Sequence, residues 1–201
     1  MRGLYCITPD RLTDPFTLEA ACRAAIRGGA QILQFRQKTP GVDRLSLAMA
    51  VMEAAAGTDA LVLINDDPDL ASQVGAAGCH LGQTDGTLAD ARQHLGALAC
   101  LGRTCHDQRD LMQQAIAEGA DYCAFGRLFP SHTKPDARPL SLETLADLVA
   151  ACSVPTCAIG GINATNAHYA LSAGIDMLAV SDAVFRATDI EAAAAALACQ
   201  F

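Results

Sequence analysis

Along the chain, short apolar runs alternate with longer stretches whose apolar residues recur every three or four positions. The short runs predict strands at residues 4–7, 32–36, 61–64, 79–81, 98–101, 122–125, 156–159 and 177–180. The longer stretches predict helices at 18–27, 44–56, 69–74, 88–95, 108–118, 142–151 and 164–173, and from 183 onward. Glycines close many of the helical segments, among them Gly28-Gly29, Gly57, Gly75, Gly119 and Gly174, as a helix C-terminus favours. Eight strand–helix units in order imply a parallel sheet. Eight such units also close a barrel, so the expected fold is α/β, a (β/α)8 TIM barrel, with residues 1–201 as one domain. An open doubly wound sheet is the alternative.

Composition narrows the class. Of the 201 residues, 51% are hydrophobic, 4% are aromatic and none is tryptophan, so the core must be mostly aliphatic. The formal net charge of −8 argues against general binding to nucleic acid or to an anionic membrane. An anion site must then gather the few cations locally, and lysine is scarce. No apolar stretch is long enough to span a bilayer, and the N-terminus runs straight into a strand without a signal-peptide pattern. The nine cysteines are scattered without a Cys-x-x-Cys pair, which fits buried thiols of a reducing cytoplasm better than a disulfide or metal framework.

In barrels of this type the chemistry lies at the carboxyl ends of the strands, and there the polar residues of this chain collect. Gln34, Arg36 and Lys38 alternate along the second strand and so share one face. Two cations with an amide suit a multiply charged anion. Asn65 and Asp66 follow the third strand, and Gln83 and Asp85 the fourth. Two carboxylates beside substrate phosphate oxygens suit Mg²⁺; the competing role for either aspartate is capping the next helix. Thr104 and His106 follow the fifth strand. The loop after the sixth carries Ser131, His132, Thr133 and Lys134 between prolines and could close over a site. Gly160-Gly161 and Ser181-Asp182 end the seventh and eighth strands, where a phosphate is often held by backbone N–H groups. No hydroxyl–imidazole or thiol–imidazole pair is visible. The residues therefore predict a barrel for two phosphorylated small molecules, one carrying a pyrophosphate–Mg²⁺ unit, with displacement of pyrophosphate as the chemistry.

Five motifs in order carry a resemblance over nearly the whole chain: Gln-x-Arg-x-Lys at 34–38, Ile-Asn-Asp at 64–66, His-Leu-Gly-Gln-x-Asp at 80–85, Phe-Gly-Arg-Leu-Phe-Pro-Ser-x-Thr-Lys-Pro at 125–135 and Ala-Ile-Gly-Gly-Ile at 158–162. The chain resembles the thiamine phosphate synthase (thiamine-phosphate pyrophosphorylase) family. The resemblance implies a cytoplasmic transferase that couples hydroxymethylpyrimidine pyrophosphate with a thiazole phosphate (carboxylate). Pyrophosphate would leave first and the thiazole nitrogen would attack the resulting pyrimidine cation. It further implies that Gln34, Phe35, Arg36, Gln37, Lys38, Asn65, Thr104 and Lys134 hold the pyrimidine pyrophosphate. Arg36, Lys38, Thr104 and Lys134 would be the catalytic members. Ser131, His132, Thr133, Gly161, Ser181 and Asp182 would hold the thiazole phosphate, and Asp66 and Asp85 the Mg²⁺. Thr104 stands where the family usually has serine, Ser131 where it often has threonine, and Arg127 where it often has proline. Asp182 matches no fixed residue.

Three rivals remain at the level of sequence, the lowest of them a generic phosphate-sugar isomerase barrel, which would need an acid–base pair that is not visible. Thiazole tautomerases share this barrel but need no grip on pyrophosphate. A non-catalytic barrel that binds a phosphorylated metabolite would not need a lysine with paired aspartates. Homo-oligomerisation is left open.

Overall fold

The computed structural model describes residues 1–130 and 139–201. Strands and helices alternate as the pattern predicts: β1 (Gly3–Ile7), α1 (Pro15–Arg27), β2 (Ala30–Phe35), α2 (Arg44–Ala55), β3 (Leu61–Asn65), α3 (Pro68–Val74), β4 (Gly78–Leu81) and α4 (Leu88–Leu95). They continue with β5 (Cys100–His106), α5 (Arg109–Ala117), β6 (Tyr122–Gly126), α6 (Leu142–Ala151), β7 (Thr156–Ile159), α7 (Ala167–Ser172), β8 (Met177–Val180), α8 (Asp182–Phe185) and α9 (Ile190–Ala198). Each strand pairs in parallel with its chain neighbours, and β8 pairs back onto β1, so the sheet closes into an eight-stranded barrel. The open-sheet alternative is excluded.

Strand periodicity divides the core into two shells. Leu4 and Cys6 of β1, Leu33 and Phe35 of β2, and Leu178 and Val180 of β8 face outward against the helices. Tyr5, Ile32, Leu63, Tyr122, Cys157 and Met177 face inward and fill the barrel. The two tyrosine rings meet edge to face with centroids 6.0 Å apart. Room for Tyr122 comes from Gly102 of β5: a Cβ there would lie 2.0 Å from the ring.

Several boundaries shift from the sequence expectation, and three of the differences have a clear local reason. β5 was expected at 98–101; it runs from Cys100 to His106, and Leu98 is fully exposed. Its polar residues are strand residues because the inside of this barrel is itself polar there. The first part of the expected helix at 164–173 is a turn, in which the Asn163 carboxamide oxygen accepts from the Thr165 amide at 2.9 Å. The expected final helix splits in two, and the Asp189 side chain starts the second piece by accepting from the Ala192 amide at 2.9 Å.

Candidate active site

A cavity of about 370 Å³ opens at the carboxyl ends of the strands. Gln34, Arg36, Lys38, Asn65, Asp66, Asp85 and Thr104 all line it. Arg36, Lys38 and both acids expected from sequence therefore meet at one rim. Across the cavity, Ala124, Cys157 and Ala179 present small side chains and leave space.

The rim is held from the first βα loop. Asp10 Oδ2 accepts from the Arg36 guanidinium at 2.7 Å, and its Oδ1 accepts from the Lys38 amide at 2.8 Å. The Asp10 carbonyl accepts from the Gln37 amide group at 3.0 Å. Thr8 adds a reciprocal pair, its hydroxyl donating to the Arg36 carbonyl at 3.0 Å and accepting from the Arg36 amide at 2.9 Å. One acid thus shapes the whole segment after β2. Asp10 is not among the site residues expected from sequence; its place directly after Pro9 at the end of a strand was the available signal.

Asp66 directly follows β3 with φ +60°, a left-handed backbone that aspartate tolerates better than most residues. Its Oδ2 accepts from Lys38 Nζ at 2.5 Å and from Asn65 Nδ2 at 2.6 Å. Burial raises the Asp66 carboxyl, but the Lys38 ammonium and the adjoining Asp85 side chain outweigh it and hold it below the usual carboxylate range. Burial and the Asp66 carboxylate push Asp85 the other way, upward. Two acids whose environments drive their pKa values apart are the mark of close carboxylates without a full complement of positive charge.

Neither aspartate caps a helix. Asp67 caps α3, accepting from the Leu70 amide at 2.9 Å, and Thr87 caps α4, accepting from the Asp90 amide at 3.0 Å. Among the described residues no three His, Cys, Asp or Glu side chains gather as a metal cage. A cation shared with substrate phosphates takes one or two carboxylates, a donor set that Asp66 and Asp85 could supply to Mg²⁺.

Beneath the rim runs a buried polar chain. Gln34 Nε2 donates to the Tyr5 hydroxyl at 2.6 Å, and the Tyr5 and Tyr122 hydroxyls lie 2.8 Å apart. The Tyr122 hydroxyl is 2.8 Å from His80 Nδ1, and His80 Nε2 is 2.8 Å from Thr104 Oγ1. Burial pushes the His80 imidazole down to about 4, only partly offset by Asp66, so the ring is neutral at neutral pH. The hydroxyl–imidazole pair that sequence inspection did not find is therefore present, between neighbouring strands. Tyr5 and Tyr122 were also missed. The signal was two tyrosines inside apolar strands of an aromatic-poor chain, since a buried phenol needs a partner.

Not every expected residue reaches the cavity. Phe35 is 1% exposed and belongs to the outer shell, as its odd parity relative to Gln34 dictates. Gln37 turns aside to bond the Asp10 carbonyl and the Thr39 amide. Gly161 and Ser181 sit at the carboxyl ends of β7 and β8, on the same barrel face but outside this cavity's lining. Gly161 has φ +64°, and a Cβ there would lie 2.5 Å from the Pro130 carbonyl oxygen. The Asp182 carboxylate pairs with Arg186 one helical turn on, at 3.0 Å, so only its backbone is free to serve an anion. Ser131, His132, Thr133 and Lys134 lie outside the described residues.

Comparison with known proteins identifies the lineage. Residues 4–184 match the model of the thiamine monophosphate synthase family. The thiamine-phosphate synthase of Thioalkalivibrio sulfidiphilus is 46% identical over 100% of this chain and 96% of its own length. That of Methylococcus capsulatus is 45% identical over 100% of this chain and 89% of its own. The solved thiamine phosphate pyrophosphorylase from Pyrococcus furiosus superposes with a TM-score of 0.87 at 32% identity, covering 98% of this chain and 94% of that one. A barrel whose rim gathers Arg36, Lys38, Asp66 and Asp85, and whose sequence agrees with these relatives from end to end, belongs to the thiamine monophosphate synthase family.

Proposed function

We propose that the chain is a thiamine-phosphate synthase, a transferase acting in the cytoplasm. It joins hydroxymethylpyrimidine pyrophosphate to a thiazole phosphate or its carboxylate and releases pyrophosphate. The single observation that carries this reading is the convergence of Arg36, Lys38, Asp66 and Asp85 on one cavity. The names of full-length relatives at 45–46% identity support it.

Arg36 and Lys38 bind the pyrophosphate, with Gln34, Asn65 and Thr104 completing the pocket. Lys134 and the segment Ser131–Thr133 are assigned to the same pair of substrates by resemblance. Asp66 and Asp85 are the residues that would hold Mg²⁺, which when bound neutralises charge on the departing pyrophosphate. The carbon–oxygen bond to the pyrimidine methylene breaks, and its electron pair leaves with pyrophosphate. The thiazole nitrogen then forms the new carbon–nitrogen bond with its own lone pair; when the carboxylate is used, CO₂ is lost and the ring carbon that carried it takes up a proton from solvent. No proton need be removed for the coupling, so electrostatic stabilisation of the leaving group does the catalytic work. The thiazole phosphate is assigned to the backbone at Gly161 and Ser181-Asp182.

The test is to incubate the protein with both substrates and Mg²⁺ and to assay thiamine phosphate and pyrophosphate together. Coupled product is expected, and Asp66→Asn should lower turnover at least ~100-fold, the scale of lost transition-state charge stabilisation. Tautomerised thiazole without coupled product would make the chain a tautomerase. Binding without turnover would make it a metabolite-binding barrel. Full activity of Asp66→Asn at ordinary Mg²⁺ would remove the metal assignment.

A further inference from the structure

We propose that Gln34, Tyr5, Tyr122 and His80 form a hydrogen-bond relay of fixed polarity that presents the Thr104 hydroxyl to the cavity as a donor for an anionic substrate oxygen. Only the nature of that oxygen rests on the function proposed above. The polarity follows from the hydrogen bonds around a neutral imidazole.

The five groups come from five strands and lie at successive distances of 2.6, 2.8, 2.8 and 2.8 Å. The Gln34 carboxamide turns its nitrogen toward Tyr5, and in that orientation, with hydrogens but no free lone pair, it donates. Each phenol has one proton to give. If Tyr5 gives its proton to Tyr122, then Tyr122 gives its own to His80 Nδ1. The neutral imidazole then carries its hydrogen on Nε2 and donates to Thr104. The one hydroxyl proton left over is that of Thr104, whose residue lines the cavity.

The opposite order starts with hydrogen on Nδ1, which donates to Tyr122, which donates to Tyr5. Tyr5 then receives two hydrogen bonds, and its own proton has no acceptor among the described residues at a side chain 1% exposed. Stranding a buried donor biases the equilibrium against that order by roughly tenfold or more. The chain therefore runs one way, from Gln34 to Thr104.

The direction decides what the Thr104–His80 pair can do. With hydrogen on Nε2, His80 cannot take the Thr104 proton, so Thr104 is not a base-activated nucleophile. It is instead a pre-aimed donor, the arrangement that stabilises charge building on a departing group. Tyr5, Tyr122 and His80 act as positioning residues through it.

The experiment uses the full chain labelled with ¹⁵N-histidine, the His80 signal being assigned by its loss in His80→Gln. Hydrogen on Nε2 with a bare Nδ1 is expected, and Gln34→Glu, whose carboxylate can only accept, should move the hydrogen to Nδ1. Kinetics supply a second arm: Tyr122→Phe and Thr104→Val should each lower kcat roughly tenfold. Because Tyr122 acts only through the Thr104 hydroxyl, the double variant should be about as slow as the slower single one. Hydrogen on Nδ1 in the wild type, or losses that multiply in the double variant, would overturn the relay. If the protein makes no thiamine phosphate at all, the proposed function falls while the tautomer measurement still decides the relay.

Discussion

At the scale of single residues, Asp10 shows how an ordinary-looking turn can govern a site. Its carboxylate fixes both the Arg36 guanidinium and the Lys38 amide. Losing a charge-assisted hydrogen bond costs about 1.5–3 kcal/mol. Asp10→Ala should therefore raise KM for the pyrophosphate substrate at least ~tenfold, with a much smaller effect on KM for the thiazole substrate; steady-state kinetics with each substrate varied in turn checks it. His80 makes a second prediction, on stability. Its value in the folded protein, about 4, lies below its ordinary 6.5. Between those values the unfolded chain takes up a proton that the folded chain refuses, so stability is full above about pH 6.5 and declines as pH falls toward 4. The loss is about 3 kcal/mol at most. Melting temperatures between pH 7 and pH 4 should fall more steeply for the wild type than for His80→Gln. At this scale sequence reading found the charged rim, because cations are few and strand parity places Gln34, Arg36 and Lys38 on one side. It could not find Asp10, Tyr5, Tyr122 or the His80–Thr104 pair, because their partners are 24 to 117 residues away along the chain.

At the scale of elements, neighbouring aspartates divide two tasks. Asp67 starts α3 and pairs with Arg44 at 2.8 Å, while Asp66 faces the cavity. Asp67→Ala should cost about 1 kcal/mol of stability, as lost caps do, and leave turnover near normal. Asp66→Asn should do the reverse. Urea unfolding and activity measured on both variants separate the two outcomes. Gly102 makes a sharper case, since a methyl group there would meet the Tyr122 ring at 2.0 Å. Gly102→Ala should destabilise by about 2 kcal/mol, the range of core overpacking, seen as a lower urea midpoint at unchanged slope. Element type was legible throughout, because the apolar spacing switches cleanly between strand and helix periods. The extent of β5 was not legible, because its inward positions, Gly102 and Thr104, serve the polar interior and so carry no apolar signal. Boundaries at α7 and α9 were lost to side chains that bond the nearby backbone, a competition that periodicity does not record.

At the scale of the whole molecule, closure was predicted from the count of eight units and is realised by the pairing of β8 with β1. Closure is also what brings distant rim residues to one opening, which explains why listing strand ends was a better guide to the site than any single motif. The comparison relatives extend over the full chain, so the match concerns the barrel as a unit.

The buried tyrosines carry one more consequence. The chain has no tryptophan and three tyrosines, so tyrosine dominates its near-ultraviolet optical activity. Two of the three, Tyr5 and Tyr122, are locked together only when the first and sixth strands share one closed cylinder. Near-ultraviolet circular dichroism is thus a native gauge of circularisation, needing no label. During refolding, that signal should mature after far-ultraviolet ellipticity, because helices can form while the ring of strands is still open.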